Sequence, residues 1–435
     1  MADTLRIALA GLGTVGAGVI RLLGENGALI AQRAGRSIAI TVVSARDRTK
    51  DRGVDIGRYT WEDDMTALSA RDDVDVVVEL VGGSDGPALA LARRTLAAGK
   101  GLVTANKAMV AHHGLELAEL AETHDAAMRY EAAVAGGIPA IKGLGEGAAA
   151  NRIERIYGIL NGTCNYILSE MESTGRDFND VLGEAQALGY AEADPTFDIE
   201  GVDAAHKLSL LAALAFGTRL DFDSVATTGI SRIRAADIAQ ARALGYVIRL
   251  IGLADCEEDD GQRHLFQRVA PYLVPTSHPL AGVGGPTNAV VAEGNFAGRL
   301  LFEGAGAGDG PTASAVVADL IDIARGNVPP PFSLPVSALE ASAPADPGHR
   351  PNRAYLRFLV ADRPGVLAEI TAAMRDAGVS IESMIQQGHP DDDDNPVLVA
   401  MVTHEGPESS VDQALAMLEG SDSLAAKPLV MRLLG

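Results

Sequence analysis

The chain has 435 residues, 47% of them apolar, which is enough for two or three cores rather than one. Its 58 acids against 36 Lys and Arg give a formal charge of −22. That balance argues against nucleic-acid or anionic-membrane partners, which are held by a basic face.

The N-terminus enters a strand-like run, LRIALA at Leu5–Ala10, without a signal-peptide pattern. Gly11-Leu12-Gly13-Thr14-Val15-Gly16 follows at once, then a helical apolar pattern at Val15, Val19, Ile20, Leu22 and Leu23. A G-x-G-x-x-G between a strand and a helix is the fingerprint of a dinucleotide site. The first glycine allows the tight turn, the second lets backbone approach a pyrophosphate, and the third lets helix pack on strand. The helix N-terminus offers free N–H groups to the phosphates.

The next strand is expected at Ile38–Ser44, with Arg46 and Asp47 beyond its tip. Arg46 can pair with a ribose 2′-phosphate, which favours NADP(H), whereas Asp47 keeps NAD(H) open. Residues 74–81 (VDVVVELV) read as a buried parallel strand, 87–98 as a helix, and Gly101–Thr104 as another strand. Lys107 then follows a strand end, where an open α/β sheet binds its ligands. Residues 128–134 read as a further strand, closing on Gly136-Gly137.

Beyond this the pattern becomes α+β. Strands are expected at about 155–160, 245–254, 264–273, 288–295 and 300–303, with helices at 166–173, 178–187 and 201–216. The 185–207 stretch concentrates Glu192, Asp194, Asp198, Glu200, Asp203 and Lys207. Asp203 and Lys207 stand one helical turn apart, which is equally the spacing of a surface ion pair. The acids are able to hold a substrate ammonium or a metal, but no histidine joins them in zinc-like spacing, His206 pointing off the Asp203–Lys207 face. A second glycine cluster, 304–310, leads into a helix at about 312–325 and reads as a return into the first domain.

Residues 327–353 are rich in proline and read as a linker. The remaining residues, 354–435, run βαββαβ, a ferredoxin-like order, as a unit of their own. An acidic run, Asp391 to Asp394, reads as a solvated loop. Cys164 and Cys256 fall in no C-x-x-C pair and build no disulfide framework. No apolar run approaches the roughly 18 residues of a spanning helix, so neither a membrane nor an extracellular setting is expected. A reducing cytoplasm is.

Five separated motifs now fall in one order: GLGTVG at 11–16, TANK at 104–107, EAAVAGGIP at 131–139, GILNGTCNYIL at 158–168, and the 185–207 stretch. Over about residues 5–325 the chain resembles the homoserine dehydrogenases, of the monofunctional type. The tail, with DRPGVL at 362–367, resembles an ACT domain, a small module that binds amino acids. The resemblance implies an α/β Rossmann domain at 1–135, completed by about 305–326, and an α+β substrate and oligomerisation domain at 136–304. The 327–353 linker and the ACT domain at 354–435 follow.

It also implies NAD(P)H-dependent, reversible reduction of aspartate 4-semialdehyde to homoserine. Lys207, Lys107 and Asp203 would stand at the reaction centre, and Glu192 and Asp198 at the substrate. Gly11, Gly13, Thr14, Val15, Gly16, Arg46, Lys107 and Gly308 would hold the cofactor. A structural monovalent cation, sodium or potassium, would sit at Glu131, Val134, Gly136 and Ile138. Threonine is the expected effector, bound at Asp362, Gly365, Val366 and Leu367, and the assembly is expected to be a homodimer or homotetramer.

For Lys207, burial beside a second cation would lower the pKa and fit it to exchange a proton with an alkoxide. Two other classes remain open on the residues. Cys164, in a turn before a helix, would be the nucleophile of a phosphorylating semialdehyde dehydrogenase. The tail would alternatively make the chain an amino-acid-sensing regulatory protein.

Overall fold

The computed structural model describes residues 4–387 and 396–435; the Asp391–Asp394 run lies outside them. The N-terminal half builds a six-stranded sheet in the order Thr60–Trp61, Ile38–Ser44, Leu5–Ala10, Val76–Glu79, Gly101–Thr104, Met128–Arg129. All its pairings are parallel. Val76, Val77 and Val78 are buried on both faces, as strands covered by helices on either side must be.

The Asp309–Arg325 helix returns to this domain and packs along Thr14–Ala34. Its Ala313, Val316 and Leu320 share a core with Ile7, Leu9 and Val78. The approach is close: a Cβ on Gly18 would lie 2.9 Å from the Asp309 carbonyl oxygen.

One expected element differs. Residues 128–134 are not a strand throughout. The strand stops at Arg129, and Glu131–Ala135 is a short buried helix. Three alanines in EAAVA favour that turn over an extended chain.

In the second domain the Val202–Phe216 helix is buried along nearly its whole length, Asp203, His206 and Lys207 included. It lies on a sheet that runs Gly298–Ala305, Thr287–Gly294, Ile153–Ile159, Tyr246–Asp259, Gln262–Pro275. The two longest strands form a hairpin registered from Gln262↔Asp259 to Pro275↔Tyr246.

The tail has the expected βαββαβ order, but it does not stand alone. Its last strand, Leu429–Leu433, pairs in parallel with Gln262–Pro275 through Tyr272↔Arg432 and Leu273↔Leu433. The sheet thereby continues into Ala354–Val360, Val397–Thr403 and Ile381–Gln387. Arg357 Nη1 reaches buried Asp237 at 2.7 Å, and the Tyr355 hydroxyl donates to the same carboxylate at 3.0 Å. Burial pushes Asp237 up and Arg357 down, the two directions that oppose ionisation. Desolvation thus offsets most of the attraction, and the pair fixes docking geometry more than it adds stability.

The 327–353 segment is also packed rather than free. Phe332, Val336 and Leu339 are buried, and the Glu122 carboxylate accepts the Val336 amide at 2.9 Å. Proline richness marked the absence of periodicity, not the absence of packing.

Candidate active site

A cavity of about 840 Å³ opens between the two larger domains. Its walls are the strand ends of the parallel sheet, the Gly304–Gly308 turn, and the start of the Val202–Phe216 helix.

The dinucleotide side has the geometry its glycines demand. Gly11 has φ 101°, and a Cβ there would lie 2.7 Å from the Leu80 carbonyl oxygen. A Cβ on Gly16 would meet the Gly11 oxygen at 2.2 Å, whereas around Gly13 nothing lies within 4 Å. Gly13 therefore faces open space, the room that close backbone approach to a pyrophosphate requires. Gly13 precedes the helix without a side-chain cap, and the first turn, with Thr14 exposed, carries no acid. Its amides are left for an anion. Val15 and Gly308 line the cavity.

Arg46 is exposed beyond the tip of Ile38–Ser44. Two arginines not foreseen from the sequence stand near it. Arg52 Nε donates to the Leu12 carbonyl in the glycine turn at 3.0 Å, and Arg48 lies over the Trp61 ring at 5.8 Å. Asp47 is turned back on Thr49, accepting its hydroxyl at 2.7 Å and its amide at 2.8 Å. Those hydrogen bonds hold its carboxyl below the ordinary value.

On the substrate side Asp203 lies between both lysines. Its Oδ1 is 3.0 Å from Lys107 Nζ and its Oδ2 is 2.7 Å from Lys207 Nζ. Lys207 also donates to the Leu160 carbonyl at 2.8 Å. Burial would raise Asp203, but the Lys207 and Lys107 ammonium groups and two hydrogen bonds outweigh it and hold the carboxyl well below its usual range. Lys107 is pulled down by burial and pushed up by Asp203 together with the charges of Asp198 and Glu192, for a net rise.

Asn161, which sequence reasoning passed over, joins the acids. Its Nδ2 donates to Asp203 Oδ2 at 2.9 Å and to Asp198 Oδ1 at 2.7 Å, while its Oδ1 caps the next helix at the Cys164 amide, 2.8 Å. Thr163 donates to Asp198 at 3.3 Å. Burial, then the charge of Asp203, raises Asp198. Buried Asn288 donates to the Leu160 carbonyl at 3.0 Å, beside Lys207. The one available signal was Asn161 itself, an N-cap residue in the GILNGTCNYIL motif. Glu192 is exposed and lies outside the cavity lining, although its charge reaches Lys107. Glu200 also lies outside the lining.

Cys164 is fully buried, and burial followed by the charges of Asp198 and Asp203 pushes its thiol well above the ordinary value. Its Sγ contacts the Asp198 carbonyl at 3.2 Å. That is the opposite of an activated nucleophile, so the thioester reading fails. Among the described residues no three His, Cys, Asp or Glu side chains are placed to hold a metal ion, and no helix is long and apolar enough to cross a membrane.

The hinge between the domains carries the remaining expected residues. Glu131 is buried, its two oxygens accepting the Ile141 and Lys142 amides at 2.9 Å each. Burial, then the charge of Asp319, pushes it up to about 7. Val134 and Ile138 are buried beside it, and Gly136 has φ 58° and packs against Gly306. In the tail, Gly365 (φ 98°) opens the Val366–Asp376 helix; Asp362 and Gly365 are exposed, Leu367 half-buried and Val366 buried.

Fold and site together define a nicotinamide-dependent dehydrogenase with an appended ferredoxin-like module. Family models agree: "Homoserine dehydrogenase, NAD binding domain" matches residues 11–131, "Homoserine dehydrogenase" 139–321, and "ACT domain" 354–420. Homoserine dehydrogenase of Pseudomonas aeruginosa is 43% identical over 98% of both chains, and that of Corynebacterium glutamicum 44% identical over 98% of this chain and 95% of its own. A crystal structure of a homoserine dehydrogenase from Thiobacillus denitrificans superposes with a TM-score of 0.91 at 42% identity, covering 99% of this chain and 98% of that one. The chain belongs to the homoserine dehydrogenase family, and is an oxidoreductase; the regulatory-protein reading is set aside.

Proposed function

We propose that this chain interconverts aspartate 4-semialdehyde and homoserine, with Lys207 exchanging the proton at the substrate oxygen. The observation that carries the reading is one carboxylate, Asp203, holding two ammonium groups at the base of a cavity whose far wall is a dinucleotide turn. When bound, the nicotinamide supplies or accepts the hydride. Lys207 spends two of its three N–H donors on Asp203 and Leu160. The third remains for the substrate oxygen, where it gives a proton and stabilises developing charge. Lys107, anchored on the other Asp203 oxygen, orients the substrate against the cofactor. Asp198, tied to Asn161 and Thr163, receives the substrate's α-ammonium group, with the charge of Glu192 adding to it from outside the cavity lining.

NADP(H) is the favoured cofactor. Arg46, Arg48 and Arg52 put positive charge at the ribose end, and the carboxylate that would bind a 2′-hydroxyl, Asp47, is engaged with Thr49. The hinge residues fit a monovalent cation, since Glu131 is a buried carboxylate that its neighbours neutralise incompletely. Glu131, with Val134, Gly136 and Ile138, would hold it. Threonine would bind the 362–367 turn, whose Asp362 and Gly365 are exposed, and act through the shared sheet. A homodimer or homotetramer is supported by the edge strand Gly298–Ala305 with Leu301 and the nearby Phe296 exposed (39% and 90%). The two unpaired cysteines fit the cytoplasm.

The test is steady-state oxidation of homoserine by the full chain with each nicotinamide, with and without threonine. Turnover with a lower KM for NADP, reduced by threonine, is expected. Absence of turnover with either nicotinamide would remove the reaction. Equal KM values would remove the cofactor preference, and unchanged rates would remove threonine.

A further inference from the structure

Two helices bring the lysines together: Lys107–Thr123 begins with one, and Val202–Phe216 carries the other. Their relative register sets how Lys107 and Lys207 meet Asp203. Beyond Lys107–Asp203, one polar side-chain contact joins these helices among the described residues. His112 Nε2 and His206 Nε2 lie 3.3 Å apart.

The surroundings of the pair are asymmetric. His206 is 4% exposed, stacked on Phe222 with ring centroids 4.4 Å apart and flanked by Phe197 at 5.6 Å. Its Nδ1 has no hydrogen-bond partner. His112 lies edge-on to His206 and Phe222, at 5.3 and 4.9 Å, and is exposed.

A contact between two ring nitrogens requires one proton, carried by one ring and accepted by the other. If His112 were the donor, the proton of neutral His206 would sit on Nδ1, a buried N–H with no acceptor, which native structures avoid. If His206 donates from Nε2, only a lone pair is left unmatched at Nδ1. The second arrangement is therefore the stable one, with His112 as acceptor through Nε2. Burial, then the His112 neighbour, pushes His206 down to about 4, so the buried ring stays neutral at working pH.

We propose that the His112–His206 pair is a positioning device for the two lysines, fixing the register of their helices while His112 is neutral and loosening it when His112 takes a proton and loses its acceptor nitrogen. Charging His112 would force the His206 proton onto the unpartnered Nδ1 or break the contact. Lys107 on one helix and Lys207 on the other oppose a further positive charge there, and Asp203 favours it. From the neighbouring turn, Asp85 favours it too, but its side chain is 72% exposed and screened, and it contacts His113 at 3.0 Å. The segment bearing Phe222 adds Asp221, turned onto the Ser224 amide at 3.2 Å, and exposed Asp223; the segment bearing Phe197 adds Asp198. The inference rests on the assignment of the two lysines to the reaction centre.

The test compares the full-length chain with His112→Gln, which keeps an acceptor that does not titrate, and with His206→Phe, which keeps the aromatic stack. kcat and KM are followed against pH, and the ring nitrogens of 15N-histidine-labelled protein are read by NMR. His112→Gln should hold kcat within about threefold at neutral pH and lack the fall in kcat that acidification is expected to bring to the wild type. His206→Phe should lower kcat about tenfold with nicotinamide KM unchanged, and the spectra should place the His206 proton on Nε2. An acid limb of His112→Gln that superimposes on the wild type, or a His206 proton on Nδ1, would overturn the proposal. Should His206→Phe not fold, the other two readouts decide. A fully active Lys207→Ala would remove the lysine assignment while leaving the tautomer result standing.

Discussion

Two buried charge clusters lie at the seam between the larger domains, and they behave in opposite ways. In the cavity, Asp203 has a lysine on each oxygen, and its carboxyl is held well below the ordinary range despite burial. At the hinge, Glu131 has a second acid, Asp319, as a neighbour and is pushed up to about 7. Lys142 there is divided between Asp319 at 3.2 Å and Asp322 at 2.5 Å. Burial pushes both carboxylates up. What decides the sign is how many cations each one has to itself. The first cluster is a finished ion triad able to hold two ammonium groups in place, and the second retains a deficit of positive charge.

The opposite signs give opposite pH dependence. Asp203, with a folded pKa depressed below its 3.8 reference, contributes stability that is complete above that reference and lost as pH falls through the lower folded value. Glu131, raised from 4.5 to about 7, contributes stability below 4.5 that is lost as pH rises through about 7.

The largest effect should come from breaking the triad. Asp203→Asn leaves buried Lys207 and half-buried Lys107 sharing a neutral amide, and removing one partner of a buried ion pair costs roughly 3–5 kcal/mol. Chemical denaturation should show that loss at neutral pH, narrowing as the solution is acidified, together with a kcat lower by at least about a hundredfold. Wild-type stability in this variant would mean the triad is not formed.

A smaller effect should come from completing the hinge cluster. At about pH 8, where Glu131 is ionised, sodium or potassium should raise Tm by a few degrees over tetramethylammonium at equal ionic strength, roughly the size expected for 1 kcal/mol or so in a chain of this length. Glu131→Gln should abolish the difference between the cations. A difference that survives in the variant would locate the effect elsewhere.

The smallest should come from Arg46→Ala, which is exposed: a KM for NADP higher by roughly tenfold and an unchanged KM for NAD. Equal changes for both nicotinamides would take Arg46 away from the 2′-phosphate.

What could be read from the sequence follows the range of the forces involved. Gly11 and Gly16 were legible because no other side chain fits where the backbone approaches within van der Waals contact. Asp203 and Lys207 were legible as neighbours because one helical turn separates them. That Asp203 also binds Lys107 was not, since the two are brought together only by the packing of two domains. The same holds for the shared sheet: Leu273 and Leu433 pair across a chain separation that leaves no local pattern. Residues 131–135 were misread because valine and alanine beside a true strand suit either element until burial decides.

The central claim is that Lys207, held on Asp203, exchanges the proton at the substrate oxygen. It is tested most directly by measuring kcat for homoserine oxidation and the dissociation constant for NADP(H) in Lys207→Ala. The account predicts a kcat lower by roughly 10²–10⁴-fold with cofactor binding retained. A variant that turns over at the wild-type rate would contradict it.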